Sequence, residues 1–341
     1  MYTQPEINSY DQLIWRSERE KLYNRIAYFC KQHDFDFITE LDSDYIAKSP
    51  NTHIVYMLLF DRIGENQEWQ IIEGECQRHG RTVSVVTDNV VSESDFKSIT
   101  FYSYPKLMGM TASYNDTVLP NPTPSKLYNC FIQRTDSVRQ SWFYYLYLNG
   151  LIDRGYVSLL LTQMSFYSEL AGLELFKFIH KNFGLDQIPD FDRAYHDLLP
   201  VVPFRNFEEK ENLMPLIMDS KYSLILETCA TDETGPWSFT EKILRSLQYP
   251  TIPLLFGAKD SIKILKSLGF TIAIDIDYID CLPWQQRQQE LLKILIEDSI
   301  DFNYQTLYNQ SMSNRELLQS WKNEYQKDNF FDKFYTEVLE H

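Results

Sequence analysis

Residues 222–256 read YSLILETCATDETGPWSFTEKILRSLQYPTIPLLF. An apolar run ends at a carboxylate, Glu227, and a polar loop follows. Thr240, Glu241 and Lys242 then head an amphipathic segment, and Pro253 lies inside a second apolar run. Strand, helix and strand at this spacing form a parallel β-α-β unit. Such a unit brings Glu227, Thr240, Glu241 and Lys242 to the carboxyl edge of a sheet, where open α/β proteins bind their ligands. Ser238 to Glu241 also fits the Ser-x-x-Glu capping box, in which Glu241 only satisfies the amide of Ser238.

The same alternation extends outward on both sides. Residues 53–60 (HIVYMLLF) read as a buried strand ending at Asp61. Residues 63–79 read as a helix stopped by Gly80, and 82–86 as a second strand running into Thr87 and Asp88. A first helix is expected near 17–31. The stretch 102–125 reads as loop, and NPTP at 121–124 marks a linker. Beyond it come a strand at 127–132, a helix capped by Asp136 or Ser137 and ended by Asn149-Gly150, and a strand at 156–161. A helix near 166–182, an irregular stretch at 184–203 and a helix around 208–219 follow. The pattern continues with a strand at 223–227, a helix from 239, a strand at 251–256, a helix at 261–268 and a strand at 270–274. The predicted fold class is α/β, with two Rossmann-like domains facing a cleft. The expected divisions are 1–124, 125–312 and a helical tail at 313–341.

Composition narrows the function classes. A chain of 341 residues suits two domains. The net charge is -16 and the sequence pI about 4.8, which repels nucleic-acid phosphates and anionic membranes. A local basic pocket for a small anion remains open. The five cysteines are dispersed, with no zinc or redox spacing, as suits a reducing cytosol. The start, MYTQPEINSYDQ, lacks a basic stretch followed by an apolar one, and no apolar run is long enough to span a bilayer. The sequence therefore predicts a cytoplasmic chain without an integral membrane segment.

The Thr240–Lys242 triplet carries the chemistry. A helix N-terminus offers free amides and a positive dipole end, which suits a diphosphate. A lysine in the first turn opposes that dipole, and an anion nearby resolves the conflict. An ionised Glu241 can accept hydrogen bonds from two ribose hydroxyls. Glu227, at a strand end, can face a sugar or simply brace its loop.

Glu227-Thr228, Phe239-Thr240-Glu241-Lys242, Ile252-Pro253-Leu254 and Gly257 resemble the donor-binding segment of GT-B glycosyltransferases, most of all the α-1,3-fucosyltransferase type. Thr228 stands where that type has Asn. FIQR at 131–134, VRQSWFYYL at 138–146 and SIKILKSLGF at 261–270 resemble uncharacterised glycosyltransferase-like proteins of bacteria and phages. The resemblance implies a transferase that uses a nucleoside diphosphate sugar as co-substrate, with no separate cofactor and no metal. It implies that Glu241 holds the ribose, while Lys242 and Arg134 neutralise the diphosphate, with Arg139 nearby. Glu227, Thr228 and Thr240 complete the donor set. The acceptor would be a hydroxyl on a glycan or carrier, as in polysaccharide biosynthesis. The alternative is a non-catalytic nucleotide-sugar or glycan-binding protein on the same scaffold.

An acceptor hydroxyl needs a base. Asp61 and Asp88 both follow predicted strands at the functional edge, and either can be that base or a helix cap. Asp42-Ser43-Asp44 and Asp275-Ile276-Asp277 have the Asp-x-Asp spacing of divalent-metal sites, which arises readily by chance in so acidic a chain. His196 reads as a loop histidine. No phosphate loop of the P-loop kind is present.

Overall fold

The computed structural model describes residues 10–58, 66–91, 96–104, 121–132, 137–159, 213–227, 237, 239–324 and 329–340. These fall into two compact units. The first comprises Tyr10–Tyr114, Thr234–Leu244 and Arg315–His341; the second contains Asn115–Glu233 and Arg245–Asn314. Both are α/β units built on parallel sheets, the Rossmann-like class the sequence predicts.

In the first unit, helix α1 (Tyr10–Gln32) leads into β1 (Asp36–Ile38), α2 (Ser43–Lys48), β2 (His53–Leu58), α3 (Asn66–His79), β3 (Thr82–Thr87) and β4 (Ile99–Ser103). The four strands lie in sequential order, and each neighbouring pair is parallel. Strand alternation divides the apolar side chains between two faces. Val55, Met57 and Val86 pack with Leu22, Ile26 and Phe29 of α1 and with Phe331, Phe334 and Val338. Ile54, Leu58, Val83 and Val85 pack with Ile46, Trp69 and Cys76 on the other face. Phe331, Phe334 and Val338 lie at helical spacing on α11 (Asn329–Leu339), so the last described helix closes the core of the first unit.

In the second unit, β5 (Lys126–Ile132) is followed by α4 (Ser137–Leu148), a 3-10 turn (Ile152–Arg154) and β6 (Gly155–Leu159). Then come α5 (Leu213–Met218) and β7 (Ser220–Leu226). The short α6 (Glu241–Ser246), which belongs to the first unit as far as Leu244, precedes β8 (Ile252–Phe256), α7 (Ser261–Ser267), α8 (Asp277–Asp280), α9 (Trp284–Glu297) and α10 (Tyr304–Glu324), whose part from Arg315 again belongs to the first unit. The order across the sheet is β6-β5-β7-β8, all parallel. The chain moves one way from β5 to β6 and the other way from β5 to β7. That reversal is a topological switch point, at whose carboxyl edge open α/β sheets hold ligands. A buried polar ladder crosses the sheet from the middle of β5 and β7 to the entry of β8. The Asn129 amide donates to Ser223 Oγ at 2.9 Å, and Ser223 Oγ lies 3.0 Å from Thr251 Oγ1.

Gly80 and Gly150 end α3 and α4 with φ of 61° and 63°, as the sequence predicts. At α4, Leu151 N donates to Leu146 O and Gly150 N to Tyr147 O, a Schellman closure that needs the left-handed glycine. Gly155 is required by space instead. A Cβ there would stand 2.5 Å from the fully buried Tyr128 ring. Gly155→Ala is expected to cost about 1–3 kcal/mol in urea unfolding, the usual penalty of overpacking.

Four expectations change. Residues 270–274 are not a strand, because their amides are taken by side chains of α10: Thr271 N donates to Asn314 Oδ1 at 2.8 Å, and Ala273 N to Gln310 Oε1 at 2.6 Å. Residues 99–103 form β4 rather than the start of a loop, held at its entry by Glu73, which accepts from Lys97 N and Ser98 N. Helix α1 begins at Tyr10, seven residues ahead of the expected start. The helix of the Thr-Glu-Lys triplet begins at Glu241, two residues later than expected. The helix near 166–182 and the stretch 184–203, including His196, lie outside the described residues.

Candidate active site

The carboxyl edge of the second sheet carries the first group of candidates. Glu227 follows β7 directly, is 4% exposed, and extends the ladder by donating its amide to Phe256 O at 3.0 Å. Arg139, in the first turn of α4, is 3% exposed and donates from Nη2 to Leu226 O at 3.3 Å. The two sequence candidates therefore meet at the end of β7, beside the switch point. The Arg139 charge also acts on Cys130 in β5: burial pushes that thiol up to about 12, and the guanidinium pulls the other way. The Arg139 guanidinium thus ties α4 to the end of β7. Arg134 and Thr228 lie outside the described residues.

The triplet itself is capped differently from the sequence reading. Thr240 Oγ1 accepts from Lys242 N at 3.3 Å, and Thr240 O accepts the first helical bond from Leu244 N, so Thr240 is the N-cap. Lys242 Nζ lies 3.2 Å from the same hydroxyl, and the side chain is half-buried. With six residues, α6 has few aligned peptide dipoles. A phosphate here would rely on the lysine charge more than on the helix.

Asp88 stands at the carboxyl end of β3 in the first unit and is 6% exposed. Its neighbours are tied to the sheet. Asn89 N and Nδ2 both donate to Thr87 Oγ1, and Tyr104 N donates to Thr87 O at 2.6 Å. Just beyond, Val90 and Trp237 form an antiparallel bridge with both bonds made, at 3.0 and 3.1 Å. This bridge brings Asp88 and the segment leading into Thr240–Lys242 together within one unit. Sequence reading missed both bridge residues, since a single bridge leaves no periodic signal. Asp61 lies outside the described residues.

Both Asp-x-Asp pairs have structural partners. Asp42 caps α2 by accepting from Tyr45 N, and Asp44 pairs with Lys48 at 2.8 Å, which holds its carboxyl below the usual range. Asp277 pairs with Lys266 at 2.6 Å. Among the described residues, no three His, Cys, Asp or Glu side chains gather as a metal site, and no helix is long and apolar enough to cross a membrane.

The turn after β8 is braced from behind. Arg287, fully buried, donates to Leu282 O at 2.6 Å and to Gly257 O at 3.1 Å. Asp280 accepts from Ile262 N at 2.7 Å. Burial raises its pKa to about 6, with its amide donors and Arg287 opposing. The folded pKa exceeds the unfolded one, so the folded chain binds this proton more tightly. Its contribution is complete below about pH 4 and lost as pH rises to about 6. At 1.36 kcal/mol per unit, this amounts to roughly 2–3 kcal/mol. Asp280→Asn is expected to flatten that part of the stability–pH curve relative to the parent in urea titrations between pH 4 and 7.

No protein-family model and no curated protein sequence matches the chain. Two solved structures resemble it. A mutant T4 phage BGT in complex with UDP-glucose is 11% identical, over 84% of this chain and 75% of that one, with a TM-score of 0.34. The DNA modifying enzyme beta-glucosyltransferase, solved with and without uridine diphosphoglucose, is 10% identical, over 85% of this chain and 80% of that one, with a TM-score of 0.31. Both TM-scores are too low to define a fold, and the architecture rests on the strand pairing itself.

Proposed function

We propose that the chain is a glycosyltransferase that moves a sugar from a nucleoside diphosphate sugar to an acceptor hydroxyl, with a glycan as the acceptor class. The observation that carries this reading is the convergence of Arg139 and Glu227 at the end of β7, beside the switch point of a parallel sheet. The similarity of residues 227–257 to a GT-B donor segment supports the same assignment. In this reading Lys242, Arg134 and Arg139 meet the diphosphate charge, Glu241 holds the ribose, and Glu227, Thr228 and Thr240 complete the donor site. Asp88 or Asp61 takes the acceptor proton. Charge-assisted contacts to the leaving diphosphate lower the barrier because its charge grows in the transition state.

The test is slow donor hydrolysis. The protein is incubated with UDP-, GDP-, ADP- and CDP-linked sugars, and free nucleoside diphosphate is measured. The reading expects release from donors of one base, and faster release with a hydroxyl acceptor. Binding of one donor without turnover under any acceptor would favour the non-catalytic alternative. Chelator should leave the rate unchanged; a loss of activity would point to a divalent cation.

A further inference from the structure

We propose that Gln310 and Asn314 form a register lock, which fixes the residue at which α10 passes from the second unit into the first. The lock is independent of any donor and of the reaction.

The buried stripe of α10 runs Leu307, Gln310, Ser311, Asn314, Leu318 and Trp321, at the three- and four-residue spacing of one helix face. It is apolar at both ends and polar in the middle. Asn314 Oδ1 accepts from Thr271 N at 2.8 Å, and Gln310 Oε1 accepts from Ala273 N at 2.6 Å. Asn314 Nδ2 donates to Thr271 O and to Leu247 O, both at 3.0 Å. The spacings match, because four helical residues rise about 6 Å and two extended residues about 6.6 Å. Alternate amides of an extended segment therefore meet helix positions i and i+4. In this way α10 offers 271–273 the partners that a neighbouring strand would.

Stability alone does not account for the arrangement. Gln310 Nε2 is buried and has no hydrogen-bond partner among the described residues. A half-satisfied buried amide is worse for stability than an apolar side chain of the same volume. What a buried polar position in an apolar helix stripe does supply is register. A slip of four residues one way puts Leu318 in the place of Asn314, and three backbone groups lose their partner. A slip the other way puts Thr306 in the place of Gln310, with a side chain two carbons shorter. Register matters because the chain changes units here. Asn314 is the last residue of the second unit, and Arg315 begins the stretch that carries α11 into the core of the first.

Cysteine cross-linking on the full chain reads the register. The exposed Thr271 and Ser313 hydroxyl oxygens lie 3.3 Å apart. Under diamide, Thr271→Cys with Ser313→Cys is expected to form its disulfide at least about tenfold faster than Thr271→Cys with Asn309→Cys or Leu317→Cys, one turn to either side. Adding Gln310→Met and Asn314→Leu is expected to cut that preference to about threefold or less, because both amide partners are gone. An unchanged preference in the folded quadruple variant would overturn the lock. Amide hydrogen exchange on the unsubstituted chain provides a second reading: Thr271 N and Ala273 N are expected to be protected although their side chains are exposed. Exchange of both at the rate of free amides would also overturn it.

Discussion

Lys242→Ala is expected to lower release of nucleoside diphosphate about 10²–10³-fold, the usual consequence of removing one preorganised group from a developing anion. The lysine is half-buried, and its ammonium lies 3.2 Å from the hydroxyl of the N-cap, Thr240, which limits where it can reach. A charge held in place before reaction needs no reorganisation when the phosphate oxygen departs. Its loss should therefore appear mostly in kcat. Glu241→Ala is expected to behave differently: a ribose contact is the same in ground and transition states, so donor KM should rise with a smaller change in kcat. Steady-state rates across donor concentrations separate the two. Equal, small effects from both substitutions would mean that the triplet is only a helix start.

Arg287→Ala is expected to destabilise the chain by about 3–5 kcal/mol in urea unfolding, with little direct effect on chemistry. The guanidinium is fully buried and bonds to the carbonyls of Leu282 and Gly257. Removing it takes the donors from both, leaves a cavity, and removes the charge that favours ionised Asp280. Asp280 should then titrate higher still. Combining Arg287→Met with Asp280→Asn should recover part of the loss, because a filled volume without an isolated buried acid is cheaper to fold. A strictly additive pair would show that the two side chains are not coupled.

Much of the fold is legible along the chain because parallel strands, buried on both faces, announce themselves as continuous apolar runs. HIVYMLLF, KLYNCFI and IPLLF are all strands or strand-containing. The glycine ends of α3 and α4 were readable for the same local reason. What failed was decided by partners distant in sequence. FTIAI at 270–274 looks like a strand, yet Asn314 and Gln310, some forty residues on, take its amides. ITFYS at 99–103 is short and set among polar residues, and it pairs only because β3 offers an edge. Ser238 to Glu241 matched a capping box, but Thr240 supplies the cap.

The site divides along the same line. The positions of Glu227 and Asp88 at strand ends are legible in the sequence, and so is that of Arg139 in the helix after a strand. Their surroundings were not visible. That Arg139 bonds to a carbonyl next to Glu227 depends on the order β6-β5-β7-β8, which no local pattern encodes. The pairing of Val90 with Trp237 joins residues 147 positions apart, a separation that follows from the two numbers in the bridge.

The central claim is that this acidic chain carries a pyrophosphate site, and thermal unfolding with bare nucleoside diphosphates tests it most directly. A ligand at about a hundred times its Kd contributes about 2.7 kcal/mol to the folded state. The account predicts that one of ADP, CDP, GDP and UDP raises Tm by several degrees, and that Lys242→Ala removes most of the shift. Parent protein whose Tm is unmoved by all four at millimolar concentration, or a shift that Lys242→Ala leaves intact, would contradict it.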